Sequence, residues 1–471
     1  MKKVIYCVIC IVCITLIFSS CQTANISKEK ESAIKVALME NRTADALSAL
    51  KAEESAYGDN TSVYNLDLGL LSFYNGDYKA AIAALKAAEE EIEYNRITSV
   101  KEGLQGLIAN DNVKAYSGAN YEDLWVKGIK ALSFYNLGDY DGAMVEIRRA
   151  NIITQDFKLN PDKTGASGLE KAVLFFTPSP YQYFVDSSGK VYTAEYYGNS
   201  PLINYLSMVM YRGSGDIGNA EVDYRSLSGN RAVSSEEIEV PRGKARVNFL
   251  ALNGLIAGKE EVSVMAPSAI GYGVYHKVAW PMIREYTGSA VQEVIVKCSN
   301  GQSISLNVLE DVSDAARNNV TKDAVSKYLG SYYRGETKIS AAKVAADATL
   351  DAAKQGADAL YSEAMKAAAS QNPVFKAIAE VAAKKAYEAS IDAAKKAWAL
   401  AFQAINDTEI ADVRMGRFLP DQVMAGGMTL DPGTYDFTII YRTSHREIVR
   451  EYKAVEVSNK KPNIIVSLCA E

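Results

Sequence analysis

The 471 residues carry 51 basic and 57 acidic side chains, a formal net charge of −6, with 48% hydrophobic and 23% charged residues. That balance belongs to a folded chain of two to four domains and excludes wholesale disorder. The acidic excess also argues against nucleic-acid partners, which need a concentrated basic surface.

The first residues, MKKVIYCVICIVCITLIFSSCQ, read as a leader. Lys2 and Lys3 supply the charge, and Val4 to Phe18 is an apolar run too short to span a bilayer comfortably. Ser19 and Ser20 then precede Cys21, the lipoprotein pattern rather than an ordinary secretory cleavage site. Residues 1–20 are therefore expected to be a signal peptide, Cys21 the lipidated residue, and 21–30 a linker. Several acyl chains on one cysteine make a firm membrane tether, where a single chain holds only marginally. Gln22, rather than Asp, follows the cysteine and favours the outer membrane, facing the periplasm, with the cell surface as the alternative. Cleavage would leave 49 basic against 57 acidic side chains, a net −8. Cys7, Cys10 and Cys13 would leave with the leader, so Cys298 and Cys469 remain. Two readings stay open for them: a disulfide, or two separately buried thiols.

Residues 31–230 are expected to form an α-helical repeat array, with an insertion at about 160–200. Three stretches share one pattern: GLLSFYNGDYKAAIAALKAA from Gly69, ALSFYNLGDYDGAMVEIRRA from Ala131, and MVMYRGSGDIGNAEVDYRSL from Met208. In each, aromatics precede Gly-Asp and an alanine follows the glycine by five positions: Gly76 and Ala81, Gly138 and Ala143, Gly215 and Ala220. Glycine ends the first helix in a conformation costly for other residues, Asp caps the second, and alanine lets the two approach closely. A fainter half-repeat, NRTADALSALKAEE, puts Ala46 35 residues before Ala81, near the period of about 34 residues of the tetratricopeptide repeat. The aromatics Phe73, Tyr74, Phe134, Tyr135 and Tyr211 are candidate lining residues of an exposed groove, which the 29 tyrosines of the chain would suit.

After Ser228 the texture becomes β-branched and turn-bounded. KARVNFLALNG, EEVSVMAP, YGVYHKVAWPMI, AVQEVIVKCS and QSISLNVLEDV read as strands of an antiparallel, sandwich-like domain over 231–338. GTYDFTIIYRT, REIVREYKAVEVS and NIIVSLC resume it over 407–471. Between them, residues 339–406 are Ala-rich and broken at Asn372-Pro373, which predicts an inserted helical hairpin. Its recurring charges favour a tightly packed helical pair lying on the domain over an amphipathic element that inserts in a membrane or joins an oligomer. The expected fold class is α+β: a tetratricopeptide-like array, then an antiparallel β-rich domain with an inserted Ala-rich hairpin.

The runs NDNVKAYSGANYEDLWVKGIKALSFYNLGDYDGAMVEIRRA, NSPLINYLSMVMYRGSGDIGNAEVDYR, and LNGLIAGKEE with KVAWPMI resemble an uncharacterised group of bacterial tetratricopeptide-like outer-membrane lipoproteins. The resemblance covers most of the chain after the leader and is strongest from about Asn110 to Ile283. It implies no catalytic activity or cofactor, and genes often neighbouring those of lipoproteins similar to the curli-secretion channel, hence an envelope assembly. It singles out Asn110, Asp111, Tyr116, Gly118 and Glu122, then Gly138, Asp139, Glu146, Arg148 and Arg149, and later Asn253, Gly254, Lys259 and Glu260. Together with Tyr135 and Tyr211 these are the candidate binding residues. Each also has a structural explanation, as helix cap, helix end or ion pair.

Catalytic patterns are wanting. His276 and His445 stand alone in strand-like runs, without the spacing of a zinc site. No G-x-S-x-G elbow, Walker A loop or dinucleotide fingerprint occurs. The expected function is thus a lipid-anchored protein-binding or scaffolding module of a cell-envelope assembly, with other envelope proteins as partners, no cofactor and no metal. The alternative is a peptidoglycan-acting enzyme, which would need only two carboxylates, or a regulator of one. A small-molecule ligand is left unassigned.

Overall fold

The computed structural model describes residues 26–102, 114–159, 199–269, 274–283, 289–368 and 373–471. The expected leader, Cys21 and nearly all of the insertion expected at about 160–200 lie outside these residues. The chain is mixed α+β.

Among the described residues eight α-helices come first, in consecutive pairs: α1 (Lys28–Met39) with α2 (Thr43–Ala52), α3 (Thr61–Tyr74) with α4 (Tyr78–Glu102), α5 (Asn120–Asn136) with α6 (Tyr140–Leu159), and α7 (Pro201–Gly213) with α8 (Ile217–Ser226). The four intra-pair turns are built alike. Gly76, Gly138 and Gly215 have φ near +80°, and Asn41 takes their place in the first turn at φ +59°. In each turn that residue's N–H donates three positions back, and the next N–H donates five positions back, as Asp77 to Ser72 and Asp139 to Phe134 at 2.9 Å. This ties off the orphaned carbonyls of the first helix. The aspartates then cap the second helices: Asp77, Asp139 and Asp216 accept from the amides of Ala80, Gly142 and Asn219. Ala46, Ala81, Ala143 and Ala220 are fully buried where the paired helices meet.

Ten strands follow these helices among the described residues: β1 (Ala245–Asn253), β2 (Glu260–Pro267), β3 (Tyr275–Met282), β4 (Val291–Cys298), β5 (Ser303–Ser305), β6 (Asn307–Asp311), β7 (Gln422–Leu430), β8 (Gly433–Thr443), β9 (Glu447–Val457) and β10 (Asn463–Cys469). They form a sheet in the order β10-β1-β7-β6, a second in the order β5-β4-β8-β9, and the pair β2-β3. The two four-stranded sheets share one apolar core, with Val247 and Phe249 of β1 facing Val294 and Val296 of β4 and Phe437 of β8. The pairing is antiparallel throughout except between β1 and β10, which run parallel. The expected antiparallel-rich character is thus observed, with this one pair departing from it. β10 returns beside β1 only at the end of a long excursion, the crossover that a parallel pair requires. His445, expected in a strand, lies in the turn between β8 and β9. Cys298 and Cys469 are both free thiols buried in the sandwich core, and burial raises the Cys469 thiol to about 11.

All nine residues of β1 are buried, because both faces of its sheet are covered. Odd positions face the sandwich; Leu250 and Leu252 join the helical core. Arg246 and Asn248 lie on that same helix-facing side. Both are held by Glu237, which is fully buried and also accepts from Arg212 of α7 at 2.7 Å. One desolvated carboxylate answered by two guanidinium groups and an amide avoids the cost of an unpaired buried charge. β7 carries Gly426 and Gly427 at this place, and a Cβ on Gly427 would sit 2.7 Å from Arg246 Nε and 2.9 Å from Glu237 Oε1. The glycines are there to make room for the ion cluster.

Between β6 and β7 run two long helices, α9 (Val312–Ala368) and α10 (Pro373–Asp407), packed along each other. The helix begins at Val312, so residues 312–338 are not part of the β-rich region as the composition implied. The first turns of α9 belong to the core: Val312, Ala316 and Val320 join the helical cluster, and Ala324, Tyr328, Leu329 and Tyr332 pack on Val262, Val278 and Trp280 of β2 and β3.

Candidate functional site

The first helix of every pair, α1, α3, α5 and α7, faces the rest of the chain. What α1, α3 and α5 face is the connection Thr408–Asp421 between α10 and β7, an irregular run whose residues Arg414, Gly416, Arg417 and Phe418 bond to groups of the array. Glu409 is anchored outside the array: its buried carboxylate accepts from Arg334 at 2.7 Å and Lys338 at 3.3 Å, both on α9. Arg414 donates to Asn60 Oδ1 at 2.7 Å, and its guanidinium lies 5.5 Å from the centre of the Tyr116 ring. Lys259 Nζ donates to the Arg414 carbonyl at 2.9 Å. The Gly416 N–H donates to Glu122 Oε1 at 2.7 Å, while Glu122 Oε2 accepts from Tyr116 Oη at 2.5 Å and from the Ala119 N–H at 2.8 Å.

Arg417 continues the pattern. Its N–H donates to Asp67 Oδ1 at 2.8 Å, its guanidinium stacks 5.5 Å from the Tyr57 ring, and Nε approaches Glu31 Oε2 at 3.5 Å. Asp67 also accepts from Tyr57 Oη at 3.0 Å. Complete burial pushes the Asp67 carboxyl up to about 7, against the opposing pull of the Arg417 charge, its backbone N–H and the Tyr57 hydroxyl. The Phe418 ring is fully buried and its carbonyl accepts from Tyr74 Oη at 2.8 Å. The Leu419 carbonyl accepts from the Ile256 N–H, and Asp421 joins the end of β1 to the start of α9.

The expected exposed aromatic groove is therefore corrected: that face is occupied by the chain itself. Phe73 is buried, and Tyr74, Phe134, Tyr135 and Tyr211 are half-buried against the core. Tyr135 Oη donates to the Pro462 carbonyl at 3.2 Å and accepts from the Ile464 N–H at 2.7 Å, reaching β10. The aromatic pattern is legible; what fills the face is not, because the filling segment lies some 270 residues or more downstream.

Residues singled out by the resemblance fall into two groups. Tyr116, Glu122, Asn253, Gly254 and Lys259, far apart in the chain, converge on Arg414–Asp421. Glu146 and Arg149 do not. Glu146 is buried elsewhere, 3.0 Å from Lys130 and 3.3 Å from Arg149, and Lys130 also donates to Glu89 at 2.7 Å. Burial would raise the Glu89 carboxyl, but Lys127 and Lys130 outweigh it and hold it below its usual value. Arg148 is exposed on α6, and Glu260 is exposed at the start of β2. Asn110 and Asp111 lie outside the described residues. Asp67, Arg414, Arg417 and Glu409 were missed by sequence reasoning; the charges interrupting VRMGRFLP were the available signal.

His276 is fully buried, its Nε2 3.1 Å from Glu336 Oε1 on α9. Among the described residues, no group of three or more His, Cys, Asp or Glu is placed to hold a metal, and no helix is long and apolar enough to cross a membrane. Beyond residue 340 the two long helices leave the core: nearly every described side chain there is exposed or half-buried. Val344, Leu360, Ile378, Val381 and Leu400 are each more than half exposed. Comparison with known protein families, with curated proteins and with solved structures finds no match for this chain.

Proposed function

We propose that this protein is a lipid-anchored scaffold of a cell-envelope assembly, tethered through Cys21 at the outer membrane and binding other envelope proteins. The leader pattern supports the anchor. Four helix pairs with one turn scheme support the tetratricopeptide-like reading of the array, here used to grip its own chain. The resemblance to envelope lipoproteins of that kind points the same way.

The observation that carries the binding role is the exposed stretch of α9 and α10, read as an inserted hairpin that stands out as an arm. Its large apolar side chains Val344, Leu360, Ile378, Val381 and Leu400 face solvent on an element that leaves the core, which supports an interaction role for it. Protein binding thus passes from the array, whose inner face is occupied, to the arm.

Two measurements on cells test this. Cys21→Ala should move the protein from the membrane fraction to the soluble one; retention in the membrane would refute the anchor. Amine-reactive crosslinking in intact cells should join Lys376, Lys384 and Lys385 of the arm to other envelope proteins. Absence of such crosslinks, together with turnover of isolated peptidoglycan by the pure protein, would replace the scaffold with an enzyme.

A further inference from the structure

The two four-stranded sheets of the sandwich end, on one side, in the edge strands β9 and β10, which are not paired with each other. Side chains alternate along a strand, so each presents every second residue inwards. On β9 these are Ile448, Arg450 and Tyr452, and on β10 they are Ile465, Ser467 and Cys469. Apart from Arg450 and Ser467, all of them pack in the sandwich core. Arg450 lies opposite Ile439 of β8, which is fully buried, so it stands where the pattern calls for an apolar side chain. A charge turned inwards needs a partner.

No acid supplies one. Among the described residues the Arg450 guanidinium pairs with no carboxylate; Nη1 makes one long bond, 3.4 Å to the Val449 carbonyl, and Nε is buried without an acceptor. The nearby Arg446, by contrast, is paired with Glu471. Burial raises Tyr441, Tyr452 and Cys469, and the charge of Arg450 opposes that rise at all three, so the four side chains share one neighbourhood. The Ser467 hydroxyl lies beside both tyrosines and lowers them too. Tyr452 Oη is used, donating to the Val466 carbonyl at 3.1 Å. Tyr441 and Ser467 are 0% and 2% exposed, yet neither Tyr441 Oη nor Ser467 Oγ forms a well-directed hydrogen bond. Buried polar atoms are almost always satisfied, so three unsatisfied donors gathered about one cation point to an acceptor that joins them.

We propose that this side of the sandwich binds a small oxyanion, a phosphate or a carboxylate, gripped by the Arg450 guanidinium with the Tyr441 and Ser467 hydroxyls as further donors. A guanidinium offers parallel N–H groups that match two oxygens of such an anion. Arg450 is only half-buried, so the anion meets it from solvent, between the two edge strands. The site stands apart from the arm and does not depend on the scaffold reading.

The test is calorimetric titration of the purified full chain at pH 7 and constant ionic strength, with inorganic phosphate and, separately, with acetate. Saturable binding of at least one is expected, with a Kd of about 1 mM, and the tighter of the two tells a phosphate group from a carboxylate as the natural source. At about ten times Kd the bound anion should also raise the Tm by about 1–2 °C. Arg450→Gln should weaken binding by about ten-fold or more, and Tyr441→Phe, which removes only an unpartnered hydroxyl, by about three-fold. If Arg450→Gln does not fold, Tyr441→Phe and the titration of the unmodified chain still decide. Lack of saturable binding by both anions, or equal binding by Arg450→Gln, would overturn the site. The inward charge would then serve to keep the β9 edge from pairing with other strands, and Arg450→Gln would self-associate in light scattering.

Discussion

Asp67 is a carboxylate placed in a fully buried site with its opposing charge, Arg417, 3.9 Å away and its backbone partners close. Burial dominates and raises it to about 7, whereas an Asp in the unfolded chain titrates near 4. A raised carboxyl holds its proton more tightly when folded. Its contribution to stability is therefore present in full below about pH 4 and is lost as pH rises through about 7. At about 1.4 kcal/mol per unit, the span is at most about 4 kcal/mol. Asp67→Asn keeps an acceptor for the Arg417 N–H and removes the titration. The stability of the unmodified chain minus that of Asp67→Asn, from urea unfolding at pH 4 to 8, should decline with pH. A difference that rises would mean the Arg417 charge outweighs burial. Nothing around Asp67 in its own stretch, VYNLDLGLL, announces this, because the residues that desolvate it come from another part of the chain. By contrast the Gly-Asp turns were legible to the residue: a positive φ, a cap and a close alanine are all local demands.

Local demands also explain which elements could be read and which could not. The strands that alternate or run apolar, such as β1, β4 and β8, are plain in the chain. β7 is not, since Gly426 and Gly427 look like a loop until the ion cluster they accommodate is known. The start of α9 was hidden in the same way. Residues 312–338 mix β-branched, aromatic and glycine residues because that stretch packs on β2 and β3 rather than on solvent. Gly335 is the sharpest case. Within an exposed helix, Gly→Ala stabilises by about 1 kcal/mol. Here an added Cβ would lie 2.1 Å from His276 Nδ1, in the wall between α9 and β3. Gly335→Ala should therefore destabilise, by about 1–3 kcal/mol, the usual range for overpacking. Chemical denaturation reads the sign directly, and a gain in stability would show that His276 does not sit against this helix.

At the scale of the whole molecule, composition and pattern gave the α+β class and the order of its parts, while the relation between the parts came only from the fold. The helical array meets the sheets at several places, through Tyr135 on β10 and the Glu237 cluster on β1, and the segment Thr408–Asp421 runs between the two, gripped by side chains of the array. Buried hydrogen bonds from the Gly416 and Arg417 N–H groups to Glu122 and Asp67, with the Glu409–Arg334 ion pair to α9, fix its register, and the buried Phe418 and Leu419 anchor it in the shared core. With that face filled, the binding role proposed above falls to surfaces that point away from it, the arm of α9 and α10 foremost. Amide hydrogen exchange on the intact protein tests this most directly. If the array holds its own chain, the amides of Gly416 and Arg417, which donate to buried carboxylates, should exchange as slowly as those of β1, and the arm beyond residue 340 should exchange faster than either at low protein concentration. Exchange of Gly416 and Arg417 at the rate of an open loop would contradict it and return the groove to the list of free binding surfaces.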